Sequence, residues 1–222
     1  MEFTVLIRPA LLHLWGTPER RPDTPQVFVV DDDPLVRGSL EFLFNAAGMP
    51  VETFASASAF LERPLPDGAC CLVLDLRLPE VDGLSVQERL KQAGLNVPIV
   101  FLSGASDVPS TAHAMREGAV DFLVKPVDDE LLLAAVRQAL ARAADTHQQR
   151  HEQAESAARL ARLTSRERQV VDLVARGLLN KQIAYELEIS EETVKVHRGR
   201  AMRKLAIDSV PTLVRLLDRA TV

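Results

Sequence analysis

With two cysteines in 222 residues, and those two adjacent, the chain has no disulfide framework to build on. Cys70 and Cys71 head an apolar run, a place for buried reduced thiols rather than cross-links. Long hydrophobic runs are missing as well: none approaches the roughly 20 residues that a helix needs to span a bilayer. The opening stretch VLIRPALLHLWG is broken by Arg8 and Pro9 and lacks a small-residue cleavage site, which makes it a poor secretory signal. A cytoplasmic protein with no membrane role is expected. Residues 1–25 hold four prolines and no clear hydrophobic period, so they are expected to form a loose leader outside the fold.

A chain of this length is long for one compact domain and comfortable for two. Charge supports the division: residues 26–144 carry 9 Lys/Arg against 17 Asp/Glu, net −8, while residues 160–222 carry 12 against 8, net +4. An acidic front and a basic tail imply two tasks. Between them runs DDELLLAAVRQALARAADTHQQRHEQAESAARLARL, which contains neither Gly nor Pro and is rich in strong helix formers. This composition predicts one long helix joining the domains, with a break allowed near Asp145 to His147. Leu132, Leu133, Val136 and Leu140 form a stripe that packs on the first domain. The second half of the helix is mostly polar and reads as a spacer.

The front domain alternates strand and helix signals five times. VFVV is followed by a helix from Pro34 to Ala47, VETF by one near Ser58 to Leu61, and CLVLDL by one near Leu84 to Gln92. PIVFLS then leads to a helix near Pro109 to Glu117, and VDFLV to the long helix. This rhythm predicts a doubly wound, five-stranded parallel α/β sheet whose active crevice lies at the carboxyl ends of the strands. At those ends stand Asp31 and Asp32 after strand one, Asp75 after strand three, Ser103 after strand four and Lys125 after strand five. The run Asp31 to Asp33 raises a charge problem, since like charges this close repel unless a hard divalent cation or another positive group offsets them. Asp is also a good N-cap and Pro suits a first helical turn, so the same run serves as the start of the helix at Pro34. One Asp suffices for that.

Taken together, VVDDDP, LVLDLRLPEVDG, FLSG and FLVKP make residues 27–140 resemble the receiver domain of two-component response regulators. The resemblance implies that Asp75 is the phosphoacceptor and that Asp31, Asp32, Asp75 and the backbone carbonyl of Arg77 hold Mg²⁺ or Mn²⁺. Asp32 would ligate directly and Asp31 largely through water, with Asp33 left to the helix start. It assigns Ser103 as the switch hydroxyl, Phe122 as the switch aromatic and Lys125 as the phosphate-pairing lysine, in a Lys125–Pro126 bond that is cis in the family. Ser103-Gly104 stands where many receivers have Thr-Ala, a change that keeps the hydroxyl.

In the tail, LTSRERQVVDLVARGLLNKQIAYELEISEETVKVHRGRAMRKL reads as three helices. Thr164 and Glu167 make a capping box for the first, which stops near Gly177; Asn180 can cap the second and Ser190 the third. The short turn Glu188 to Ser190 gives a helix-turn-helix. On the third helix Val194, Ala201 and Leu205 face inward, leaving Lys195, Arg198, Arg200, Arg203 and Lys204 as a basic surface. A basic face is most often merely solvated, but this one lies on the helix that a major groove accepts. The segment resembles a LuxR-type output domain. By that pattern Thr193 and Lys195 meet phosphates or base edges, Val196 a thymine methyl, Arg198 or Arg200 the backbone, and Lys204 belongs to the same surface. Gly199 stands where some members carry a basic residue. The apolar stripe Leu213, Val214, Leu216 and Leu217 reads either as an output dimer helix or as ordinary core.

From residue 26 onward the chain therefore resembles a regulator of the NarL/FixJ class, divided into a receiver (26–143), a helical linker (144–160) and a helix-turn-helix domain (161–222). The resemblance implies a regulator rather than an enzyme. Its expected partners are a sensor histidine kinase, promoter DNA and RNA polymerase. Phosphorylation is expected to drive homodimerisation through the fourth helix, fifth strand and fifth helix, with Val108, Ala112 and Met115 among the apolar contacts. A haloacid-dehalogenase-type phosphohydrolase, with Asp31-x-Asp33 as its acidic pair, leaves Asp75 without a role and the tail unexplained. A ligand-gated LuxR-type sensor shares the tail but is not expected to carry an Asp, Ser, Lys crevice.

Overall fold

The computed structural model describes residues 25–79, 81–104 and 108–221, with the side chains of Val108, Pro109 and Thr221 left aside, so the expected leader lies almost entirely outside the described residues. The chain divides into two compact units, one ending at Asp145 and the other beginning at Thr146.

In the first unit, β1 (Gln26–Val30), β2 (Val51–Phe54), β3 (Cys70–Asp75), β4 (Ile99–Ser103) and β5 (Asp121–Val124) alternate with α1 (Pro34–Ala46), α2 (Ala57–Leu61), α3 (Gly83–Gln92) and α4 (Val108–Arg116). α5 (Asp129–Leu160) follows. The strands pair in parallel in the order β2-β1-β3-β4-β5, so the chain reverses its winding direction between β1 and β3.

The central strands are apolar on both faces because helices cover both. Phe28, Val30, Leu72, Leu74 and Phe101 pack against Phe60, Val86, Leu90 and Ala114 from α2, α3 and α4. Val27, Val29, Val73, Val100 and Leu102 pack against Leu40 and Phe44 of α1 and Leu132, Val136 and Ala139 of α5. Each Val, Leu or Phe among these, when fully buried, contributes on the order of 1.5–3 kcal/mol. Cys70 and Cys71 are both free and buried, one on each face. Burial pushes the Cys70 thiol up to about 11 and raises that of Cys71 further, so both stay protonated and inert.

In the second unit, α6 (Ser165–Ala175), α7 (Asn180–Glu186), α8 (Glu191–Lys204) and α9 (Val210–Thr221) enclose a separate core of Val170, Val171, Ile183, Val194, Ala201, Leu205, Leu213 and Leu216. The predicted capping box is present, with Thr164 Oγ1 accepting from the Glu167 amide and Glu167 Oε2 from the Thr164 amide. Ser190 caps α8 through the Thr193 amide.

Two expectations need correction, and two alternatives left open are settled. Asn180 is the first residue of α7 rather than its cap; Leu179 holds the cap position, and Gln182 Oε1 accepts the Leu179 amide at 2.8 Å. The helix α5 has no break at Asp145 to His147, because nothing in that stretch interrupts the main-chain bonding. Nor are its last turns only a spacer: Ser156 and Leu160 are buried, and Leu160 joins the second core. The α9 stripe divides in favour of core, since Leu213 and Leu216 are buried in it and Leu217 packs against it.

Candidate functional site

The carboxyl ends of β1, β3 and β5 bring three charged side chains into direct contact. Lys125, one residue past β5, places its Nζ 2.6 Å from Asp31 Oδ2 and 2.7 Å from Asp75 Oδ2. Asp31 is 1% exposed and Asp75 9%, while Asp32 faces solvent. Carboxylate oxygens of Asp31, Asp32 and Asp75 all lie within 4.8 Å of one another. Burial pushes the Asp31 carboxyl above the usual aspartate range, against the opposing pull of Lys125 and of the Asp33 amide. For Lys125 burial alone works downward, but its bonds to Asp31 and Asp75 outweigh it and the ammonium stands above the ordinary lysine value. The Lys125–Pro126 peptide is cis.

The backbone supports this cluster closely. The Asp33 amide donates to Asp31 Oδ1 at 2.9 Å, and Asp33 Oδ1 accepts from Leu35 at the start of α1. So Asp33 caps α1, and Asp31 and Asp32 are left to the acidic cluster. The Arg77 amide donates to Asp75 Oδ1 at 3.0 Å. Ser103 is fully buried at the end of β4, where its carbonyl accepts the Lys125 amide at 2.7 Å. Phe122 is half-buried, and its ring lies 6.3 Å from that of Phe101.

Two supporting residues escaped the sequence reading. Arg37 Nη1 donates to the carbonyls of Asp31 at 2.7 Å and Asp32 at 2.9 Å, fixing the loop that carries both acids. Its position one turn into α1 after the acidic run was the available signal. Gly83 is required by close approach: a Cβ there would stand 2.7 Å from the Asp75 carbonyl oxygen.

On α8 the residues expected to meet DNA divide into two groups. Lys195, Val196 and Arg200 are exposed, Lys195 only loosely paired with Glu192 at 3.4 Å. Arg198 donates to Asn180 Oδ1 at 3.1 Å, and the Thr193 hydroxyl lies 2.8 Å from that of Ser190. Lys204 is drawn to the buried Glu167 carboxylate at 2.6 Å, so its charge is already compensated. Val194, Ala201 and Leu205 face inward as expected.

Residues 27–137 match the response regulator receiver domain family, and residues 161–217 match the luxR family of bacterial regulatory proteins. The chain belongs to the NarL/FixJ class of response regulators. This regulator is 44% identical over 193 residues to the response regulator protein TodT of Pseudomonas putida, covering 87% of this chain and 85% of that one. It is 42% identical over 195 residues to the transcriptional regulatory protein FixJ of Azorhizobium caulinodans, covering 88% and 92%. Among solved structures, the response regulator StyR superposes with a TM-score of 0.81 at 46% identity, over 88% of this chain and 99% of that one. Full-length FixJ from B. japonicum gives 0.53 at 39% identity, over 89% and 98%. A receiver joined to a LuxR-type domain makes the protein a transcriptional response regulator, with a histidine kinase implied as partner and DNA binding implied for the second unit. Among the described residues, no helix is long and apolar enough to cross a membrane.

Proposed function

We propose that Asp75 accepts a phosphoryl group from a histidine kinase and that the second unit then binds promoter DNA as part of a dimer. The observation that carries this reading is the bridge from Lys125 to both Asp31 and Asp75 at the strand ends. Asp75 attacks the phosphorus; a P–O bond forms as the P–N bond to the donor histidine breaks, and the imidazole leaves neutral after taking a proton from solvent. The Lys125 ammonium exchanges its bond to the Asp75 carboxylate for one to a phosphoryl oxygen. The Ser103 hydroxyl donates to another, and Phe122 turns into the space behind it.

The three carboxylates offer only hard oxygen donors, the set that suits Mg²⁺ or Mn²⁺, with Asp31, Asp32, Asp75 and the Arg77 carbonyl as the holding groups. A bound divalent ion supplies charge neutralisation for the transferring phosphoryl oxygens. This crevice is assigned to a receiver domain at 26–143, joined by a linker at 144–160 to a DNA-binding domain at 161–222. In the second domain Lys195, Val196 and Arg200, with Thr193 and Arg198 beside them, meet the DNA. Lys204 stabilises the domain behind them. RNA polymerase is the partner expected at the promoter, in the cytoplasm.

Incubation with acetyl phosphate and Mg²⁺, followed by intact mass measurement, tests the assignment. One phosphoryl group is expected on the wild type and none on Asp75→Asn. A variant that still gains the group removes Asp75 from its role.

A further inference from the structure

We propose that Arg159, near the end of α5, is a positioning residue for DNA reading, holding the far end of α8 at a fixed angle. The proposal rests on α8 being the reading helix. It concerns a part of the chain whose composition reads only as spacer.

α8 stops in a defined way. Ala206 adopts φ 51, its amide bonds to the Arg203 carbonyl at 3.1 Å, and the Ile207 amide bonds to the Met202 carbonyl at 3.1 Å. This is the Schellman pairing, and it satisfies the carbonyls of Met202 and Arg203 but not that of Leu205. Leu205 is fully buried, so its carbonyl needs a donor from elsewhere. Arg159 Nη2 supplies that donor from α5. Alongside it, Lys204 bonds to Glu167 of α6 at 2.6 Å. The final residues of α8 are thus gripped from two neighbouring helices.

The support is itself anchored. Leu160 packs into the second core, Ser156 is buried, and Glu152 pairs with Arg219 of α9 at 3.4 Å. Arg159 therefore transmits the orientation of a seated helix rather than of a loose tail.

The consequence for DNA follows from geometry. Lys195 precedes Leu205 by ten residues, an arm of about 15 Å along a helix, so a tilt of about 5° about the gripped end moves it by about 1 Å. A bond to a base edge does not survive such a shift, whereas a flexible lysine follows a phosphate with little loss. Losing the grip should therefore weaken discrimination between sequences while leaving non-specific binding intact.

The test uses the full chain phosphorylated with acetyl phosphate and Mg²⁺. An operator is selected from random duplexes by the wild type, and a scrambled duplex serves as control at two salt concentrations. Arg159→Ala is expected to lose roughly tenfold of its operator preference, with unchanged scrambled-duplex affinity and salt slope, and Arg159→Lys is expected to recover most of it. If Arg159→Ala does not fold, Arg159→Met keeps the aliphatic stem without the donor and is read in the same way. Unchanged operator preference overturns the proposal. So does a parallel fall on both duplexes with a salt slope lower by about one, which makes Arg159 a phosphate ligand. Lys195→Ala separates the two layers: if it loses operator affinity and Arg159→Ala does not, only the positioning role falls, and if Lys195→Ala loses none, α8 as the reading helix falls and the proposal with it.

Discussion

Lys125 is the residue on which the acidic crevice depends electrostatically. Without it, Asp31 at 1% exposure would hold a buried charge facing Asp75 with no counter-ion. Lys125→Met should therefore cost on the order of 2–4 kcal/mol in metal-free buffer at pH 7. Asp31 already stands above its ordinary value through burial, so the stability tied to its neutral form is full below that value and is lost as pH rises through the raised one. Removing Lys125 raises it further, and the deficit of the variant should shrink on acidification. Urea melts at pH 7 and pH 5 measure this, and a deficit that grows in acid would refute it. The residues that converge here were legible because each interrupts an apolar run at a strand end. Arg37 and Gly83 were not, because their work is done on main-chain carbonyls that a side-chain pattern does not display. Backbone strain was equally hidden. Glu188 adopts φ 53 in the turn before α8, a left-handed conformation that costs a residue with a Cβ about 1 kcal/mol. Glu188→Gly should raise the stability of the second unit by roughly 0.5–1 kcal/mol, read as a higher urea midpoint for loss of its helical signal. An unchanged or lower midpoint would show that the turn carries no such strain.

Among the elements, those with a strong hydrophobic period or a side-chain cap were readable within a residue or two. α6 follows from Thr164 and Glu167, α8 from Ser190, and the five strands from β-branched and aromatic runs between turns. The cap of α7 is not legible in the sequence, because Gln182 reaching back to the Leu179 amide satisfies the terminus without a polar residue at the cap. The second half of α5 looks like a spacer in the sequence because its buried face is only Ser156 and Leu160 in a run of alanines and charges, too sparse to register as a stripe. The ion pair of Lys204 is equally hidden in the sequence, since its partner Glu167 lies 37 residues earlier. That pair gives the element its own pH response. The bond from Lys204, aided by the Thr164 amide, lowers Glu167 to about 2. A depressed carboxylate contributes stability above its ordinary value and loses it as pH falls through the depressed one. Glu167→Gln keeps the return bond of the capping box but not the charge. It should be about 1–2 kcal/mol less stable at pH 7, with the difference closing between about pH 4.5 and pH 2. Urea midpoints across that range decide it, and a gap that stays constant in acid would detach the effect from the ion pair.

At the scale of the whole molecule, the net −8 of residues 26–144 repels the phosphates that the net +4 of residues 160–222 attracts. One copy should therefore bind DNA weakly, and output should depend on bringing two tails to one site. The surface proposed to join two copies carries exposed apolar side chains on three successive elements: Met115 on α4 at 44% exposure, Val124 on β5 at 47% and Leu131 on α5 at 61%. Val108 was expected to contribute as well, but its side chain lies outside the described residues. Arg116 and Asp128 flank the patch, the mixed composition of a reversible contact rather than a permanent one. Two-fold symmetry would place each Leu131 against the same surface of its partner, so one substitution is felt twice. Leu131→Glu introduces like charges at that contact, away from the Lys125 bridge, and should leave phosphoryl acceptance unchanged. The phosphorylated variant is expected to sediment as a monomer at micromolar concentrations where the phosphorylated wild type is a dimer. Its operator affinity should fall by about 10²-fold or more, the avidity that a second tail provides. Because coupling between sites is reciprocal, operator DNA should also promote dimerisation of the phosphorylated wild type and not of the variant. A phosphorylated Leu131→Glu protein that dimerises and binds operator as the wild type does would exclude this face from activation.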